Sequence, residues 1–141
     1  MHPITHAASR PDHPAIIMAG SGETVTYGAM DQTANRFAHL LRARGLGPDD
    51  AFTVLMENNA LYLQLLWGSQ RAGTMLVPIS TRLTAPEVAH ILKDSGAKLL
   101  VSSIACGNIV AQLASEGIQI ETLVAGSGGA DDLEVMLATQ P

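Results

Sequence analysis

The sequence predicts an α/β fold: βαβ units on a parallel sheet, preceded by a short N-terminal β-hairpin. Three observations carry that prediction. Short apolar runs alternate with longer stretches whose apolar residues recur every three or four positions, the pattern of strands and helices wound into parallel layers. Glycine, often with a nearby proline or a polar exit, punctuates nearly every change of period. The recurring unit is long enough for a crossover helix, for which a right-handed connection is the default.

The elements follow in order. Ala15 to Ala19 (AIIMA) and Glu23 to Thr26 read as short strands around Gly20-Ser21-Gly22, a hairpin turn. Tyr27, Met30, Ala34, Phe37 and Leu41 mark one face of an amphipathic helix, with Thr26 placed to cap it and Gly45, Gly47 and Pro48 to stop it. Gly28 in the first turn of that helix is a weak point, costing up to ~1 kcal/mol against alanine. Ala51 to Met56 reads as a buried strand with Glu57-Asn58-Asn59 as its polar exit. Ala60 to Arg71 is apolar on nearly every side, which predicts a helix covered by neighbours, ended by Gly73.

Met75 to Ile79 is a strand whose Pro78 demands its end or a sheet edge. Thr84 and Glu87 have capping-box spacing before a helix carrying Val88, Ile91 and Leu92 and closing at Gly96. A strand at Lys98 to Val101, a helix around Ile109, Val110 and Leu113, and a strand at Ile118 to Val124 repeat the pattern. Asp131 or Asp132 caps a last helical piece holding Leu133, Met136 and Leu137.

Composition narrows the function classes. The 141 residues fit one domain, able to bury roughly 70% of its unfolded surface. Charged residues make up 15%, below the about 25% usual for the surface of a free-standing domain, so part of this surface is expected to be covered by more protein. The net charge of −5 and the scatter of the eight basic residues argue against a nucleic-acid footprint. Cys106 is the one cysteine, so no internal disulfide forms, in keeping with a reducing cytoplasm. The opening MHPITHAASRPDHP lacks the basic start and apolar stretch of a secretory signal. No apolar run reaches the roughly 18 residues needed for a transmembrane segment; Ala60 to Trp67 is interrupted by Gln64. A soluble, cytoplasmic protein is expected.

A set of short motifs in fixed order then carries a resemblance. Pro11-Asp12-His13-Pro14-Ala15 precedes the first strand, and Thr26, Tyr27, Met30, Asp31, Ala34, Asn35 and Arg36 follow it. Gly45-Leu46-Gly47-Pro48 with Asp50, then Met56-Glu57-Asn58, come next. Gln70-Arg71-Ala72-Gly73, Val77-Pro78-Ile79, Leu83-Thr84 with Glu87-Val88, and Asp94-Ser95-Gly96-Ala97-Lys98 complete the series. Taken together, up to about Ser102, the chain resembles the N-terminal segment of the AMP-forming acyl-CoA synthetases, the adenylate-forming AMP-dependent synthetase and ligase family. Trp67 with Gln70-Arg71, and Leu83-Thr84, lean towards fatty-acyl or related acid ligases.

The resemblance implies a division into an N-terminal extension, residues 1–14, and an incomplete α/β segment of an AMP-binding ligase domain, residues 15–141. It implies an activity for a complete relative: carboxylic acid, ATP and CoA give acyl-CoA, AMP and diphosphate, with ATP, Mg and CoA required. It also implies that the working motifs lie elsewhere. In the family a Ser/Thr/Gly-rich loop ending in lysine holds the ATP phosphates, a Tyr-Gly-x-Thr-Glu motif reaches the adenylate and the metal, an aspartate binds the ribose, and a lysine on a mobile C-terminal domain meets the carboxylate. None occurs between Met1 and Pro141. No catalytic, cofactor-binding or metal-binding residue is therefore assigned, and no cofactor is expected for this chain alone. One position departs from the family pattern: Ala29 stands where an acidic residue usually closes the capping box after Thr26.

Other readings of single residues are bland. Gly20-Ser21-Gly22 begins like a dinucleotide fingerprint, but Val25 occupies the third glycine's place and the turn reading is preferred. His2 and His6 have helical ligand spacing, yet Pro3 between them and a loose terminus favour a solvated tail. His39 and His90 read as surface or boundary positions, Cys106 as a small buried residue, and Trp67 as core packing rather than the wall of an acyl pocket. The polar strand exits Glu57-Asn58-Asn59, Ser80-Thr81-Arg82 and Ser102-Ser103 are where an open parallel sheet binds small ligands, so Asn58, Arg82 and Ser103 mark the rim to inspect. Three functional expectations follow: a ligase fragment inactive alone, a binding or interaction module derived from such a ligase, or an inert remnant. The expected partner is the remainder of the ligase domain, or a partner chain, over exposed apolar surface.

Overall fold

A computed structural model describes residues 2–129 and 132–141. The chain opens with a helix, α1 (Pro3–Ser9), followed by the hairpin β1 (Pro14–Ile17) and β2 (Thr24–Thr26). The helix α2 (Tyr27–Ala43) leads into β3 (Ala51–Leu55), α3 (Ala60–Ala72), β4 (Met75–Ile79) and α4 (Ala85–Ser95). The chain continues through β5 (Leu99–Ser103), a 3-10 turn at Ile104–Cys106, α5 (Gly107–Gln112), β6 (Glu121–Ala125) and α6 (Leu133–Ala138). Among the described residues, four parallel strands form one sheet in the order β4-β3-β5-β6, and β1 and β2 pair antiparallel as a separate ribbon. The expected fold class holds.

The central strands β3 and β5 are buried at every position, as strands covered by helices on both faces must be. Side chains alternate between the faces. Phe52, Val54, Leu99 and Val101 meet Phe37 and Leu41 of α2, Leu65 of α3 and Leu133 of α6. Leu55 and Leu100 meet Val88 and Leu92 of α4 with Leu113. Pro78 sits on β4, an edge strand, where its missing N–H removes no interior ladder bond.

Local signals explain most boundaries. Thr26 Oγ1 accepts from the Ala29 N–H at 3.2 Å, a one-sided cap on α2. On α4 the box closes: the Thr84 N–H and hydroxyl both donate to Glu87 Oε2 at 2.8 Å. Asp132 caps α6, accepting from the Glu134 and Val135 N–H groups; Asp131, the other expected cap, lies outside the described residues. Gly73 and Gly96 end α3 and α4 in the left-handed region. Strands β5 and β6 run on to Ser103 and Ala125, further than their apolar runs suggested.

Three expectations need correction. Residues 3–9 are helical rather than loose, because Pro3 occupies the first helical position, where its missing N–H costs nothing. The helix is pinned through His6 on Tyr27, with ring centroids 4.9 Å apart, and His2 on Trp67 at 5.0 Å. Gly28 stands at a close approach rather than at an open turn: its N–H donates to the Pro11 carbonyl at 2.8 Å, and a Cβ there would stand 3.2 Å from Pro11 Cβ, a tight contact. Lastly, α3 does not bury its large apolar side chains all round. Its buried face is Ala60, Gln64, Leu65, Gly68, Ser69 and Ala72, while Leu63 is 45% exposed. The small face lets α2 approach so closely that a Cβ on Gly68 would lie 2.9 Å from both Ala34 O and Phe37 Cδ1.

Candidate functional site at the carboxyl rim of the sheet

The strand order dictates where a site can form. From β3 the chain steps outward to β4 on one side, then returns past β3 to place β5 on the other. The two halves therefore diverge between the ends of β3 and β5, the position at which open α/β sheets leave a ligand crevice. Glu57 and Ser103 stand there. Ser103 is 3% exposed, and its hydroxyl donates to Glu57 Oε2 at 2.5 Å, with Cys106 Sγ 3.7 Å away.

Two clefts open on this rim. One, of about 560 Å³, lies past β3 and β4 and is lined by Glu57, Asn58, Tyr62, Ser80, Thr81 and Arg82. Burial raises the pKa of its Tyr62 hydroxyl above the ordinary value. The other, of about 290 Å³, lies past β5 and β6 and is lined by Glu23, Glu57, Asn59, Ser103, Gly126 and Glu134. The rim trio is thus divided: Asn58 and Arg82 share the first cleft, Ser103 belongs to the second, and Glu57 borders both.

Glu23 and Glu134 were not among the rim residues expected from sequence. Glu23 comes from the hairpin and Glu134 from α6, elements whose docking no local pattern encodes. Glu134 accepts from the Gly126 N–H at 3.2 Å. Desolvation chiefly raises its pKa, and the nearby Asp132 adds to the shift. Asp132 itself is held down to about 2, first by the Gly128 N–H and then by the Val135 and Glu134 N–H groups. These contacts fold the β6 exit; they spend the Asp132 carboxylate on structure.

The motif residues fall into structural devices away from the rim. Arg71 on α3 donates to the Asp31 carboxylate and carbonyl and to Asn35 Oδ1 on α2, while Arg42 donates to the Arg71 carbonyl at 2.8 Å. Asp50 accepts from the Gly47 N–H at 2.9 Å and pairs with Lys98 Nζ at 2.5 Å, joining the entries of β3 and β5. The hydrogen bond from Lys98, then that from Gly47, lowers the Asp50 pKa. Gln70-Arg71-Ala72-Gly73 and Gly47-Pro48-x-Asp50 are therefore packing and pairing signals.

The remaining singled-out residues sit as read. His39 and His90 are exposed, Cys106 is buried, and Gly20-Ser21-Gly22 forms the hairpin turn. Trp67 packs in the small core between hairpin and helices with Ile16, Met30 and Ala60. No group of His, Cys, Asp and Glu among the described residues has the arrangement of a metal site. No helix among them is long and apolar enough to cross a membrane.

Similarity to known proteins identifies the scaffold. The family model of the AMP-binding enzymes matches residues 4–139, and this chain belongs to that family. It is 42% identical over 108 residues to the fatty acid–[acyl-carrier-protein] ligase ScoC of Streptomyces coeruleorubidus, covering 77% of this chain and 20% of that protein. It is 43% identical over 77 residues to the long-chain-fatty-acid–CoA ligase FadD13 of Mycobacterium tuberculosis, covering 55% and 15%. The N-terminal domain of FACL13 from M. tuberculosis superposes with a TM-score of 0.87 at 29% identity, covering 99% of this chain and 36% of that one. A fatty acyl CoA synthetase from M. tuberculosis gives 0.86 at 29%, covering 99% and 28%. The chain thus spans about a fifth of ScoC and less of FadD13.

Proposed function

We propose that this chain is the N-terminal α/β portion of an ATP-dependent, AMP-forming acid ligase, with residues 15–141 contributing scaffold to the adenylating domain and residues 1–14 an extension. The complete reaction joins a fatty or related acid to a thiol. The carboxylate oxygen attacks the α-phosphorus of ATP and diphosphate leaves; the thiol sulfur then attacks the acyl carbon and AMP leaves. ATP, Mg and CoA serve the whole ligase in this reading, and the chain alone uses none of them. A cytoplasmic setting belongs to the same proposal.

The observation that carries the reading is the overlay of nearly the whole chain on a fatty acyl CoA synthetase, at 29% identity. The scaffold role is supported by the motif residues Asp31, Asn35, Arg71, Asp50 and Lys98, each engaged in holding helices or strand entries together. On this reading the rim clefts with Asn58, Arg82 and Ser103 form one wall of a small-ligand site completed by other parts of the ligase. The test uses a hybrid with this chain in place of the matching segment of the M. tuberculosis fatty acyl CoA synthetase. Diphosphate release from a panel of acids with ATP is expected from the hybrid and not from the chain alone. A folded hybrid without activity would overturn the ligase reading. Unchanged ligand affinity on substituting Asn58, Arg82 and Ser103 together would remove the rim from it.

The second reading, a non-catalytic interaction module, is favoured by exposed apolar side chains such as Ile17 and Leu63. A clean monomer that binds no apolar dye would count against it.

A further inference from the structure

The first helix is held to the body by side chains that can hold it only while they are unprotonated. His2 caps α1: its Nδ1 accepts from the Ile4 N–H at 3.2 Å, and its ring meets Trp67 of α3 edge-on, with centroids 5.0 Å apart. One turn on, His6 Nδ1 receives the Arg10 guanidinium, at 3.0 Å from Nη2 and 3.3 Å from Nε. The His6 ring centroid lies 4.9 Å from that of Tyr27 on α2, and Arg10 stands over the same ring at 5.9 Å. A backbone N–H and a guanidinium only donate. Both Nδ1 atoms are therefore bare, and both imidazoles neutral, while the helix is docked.

Protonation breaks each contact in the same sense. It places a proton where His2 accepts the cap bond, and it sets an imidazolium against the Arg10 guanidinium, donor to donor and charge to charge. His13 also titrates beside Tyr27, with centroids 6.2 Å apart, but its Nδ1 faces the Pro14 carbonyl at 3.0 Å. A carbonyl only accepts, so that nitrogen keeps its proton at either charge, and a charged His13 adds a further cation around the Tyr27 ring. None of the ion pairs among the described residues involves a histidine, so no paired carboxylate offsets the new charge. An imidazolium does gain attraction to an aromatic face, but at an exposed site that gain is smaller than the charge-assisted bond it replaces.

We propose that α1 is a pH-sensitive latch: neutral His2 and His6 hold it against Trp67 and Tyr27, and uptake of protons by the two rings releases it. The sign follows from the neutral requirement. Docking is complete where imidazole is unprotonated and is lost as pH falls through the range in which histidine charges, between about pH 8 and 5. Release uncovers the half-buried Trp67 at the margin of the small core with Ile16, Met30 and Ala60. The two cores of the parallel sheet are built from other residues and stay packed. The latch needs no part of the ligase reading.

Trp67 is the chain's one tryptophan, so acrylamide quenching of its fluorescence reads the latch directly. The quenching constant is expected to rise about 2-fold from about pH 8 to about pH 5 and to return on neutralisation. H2N/H6Q, whose amides keep an acceptor without a ring to protonate, should hold the low constant at both ends of the range. H39Q/H90Q, at exposed positions, should respond as the parent does. A parent constant that does not move with pH, or an H2N/H6Q variant that rises as the parent does, overturns the latch. So does a high constant in H2N/H6Q at the upper end, because an acceptor at those positions then fails to hold the helix. Circular dichroism over the same range separates release of 7 helical residues from unfolding. Loss of most of the helical signal would assign the change to the whole chain and overturn the proposal as well.

Discussion

The seam between α2 and α3 and the ribbon side of the same α3 helix are built on opposite principles. At the seam, small residues and a partly exposed charge network bring two helices together so closely that no side chain fits at Gly68. On the ribbon side, Leu63 and Tyr62 stand around a cleft that no described residue fills. One helix therefore carries a finished interface and an unfinished one, and its apolar composition alone does not separate them. Size does: the finished side is marked by Gly68, Ser69 and Ala72, the unfinished side by large side chains.

The largest expected effect breaks the seam. Gly68→Ala places a methyl against backbone and a ring at 2.9 Å, and should cost about 3 kcal/mol in urea unfolding. Gly20→Ala, where nothing lies within 4 Å, should stay within about 0.5 kcal/mol. Equal effects at the two sites would remove the contrast.

Next comes Arg71→Met, which leaves Asp31 and Asn35 without their donor. A loss of roughly 2 kcal/mol is expected in the same assay, less than for a fully buried pair because both partners are partly exposed. A neutral result would mean that shape alone holds the seam. Thr84→Ala, away from both regions, removes the hydroxyl half of the α4 capping box and should cost about 1 kcal/mol.

The smallest effect is one of pH. The folded-state pKa of Asp132 is about 2 against an ordinary 3.8, so its contribution to stability is complete above the ordinary value and fades as pH falls through about 2. Glu134 is shifted the other way, so its contribution is unfavourable once the unfolded-state carboxyl ionises, and it acts near its ordinary value. An acid titration of Asp132→Asn by circular dichroism should show a flatter limb between about pH 4 and 2 than the parent. An identical limb would place the acid sensitivity elsewhere.

Much of the fold was legible because its signals are local. Thr26, Thr84 with Glu87, and the terminating Gly73 and Gly96 fix helix ends through bonds to near neighbours, and Pro78 marks an edge. What was hidden is non-local. Gly28 looked like a defect until Pro11 was seen against it. The α1 helix depends on aromatic contacts with Tyr27 and Trp67, far along the chain. The rim was legible in part: strand exits gave Glu57, Asn58, Arg82 and Ser103, whereas Glu23 and Glu134 enter only because the hairpin turn and α6 reach the cleft past β5 and β6.

On the proposed reading, this chain supplies the frame of an acid-activating ligase and none of its chemistry. Diphosphate release from fatty and aromatic acids with Mg and ATP measures it most directly, run on the purified chain and on the hybrid synthetase side by side. The expected result is a signal at the level of the blank from the chain and turnover from the hybrid. Acyl-adenylate formed by the 141 residues alone would contradict it.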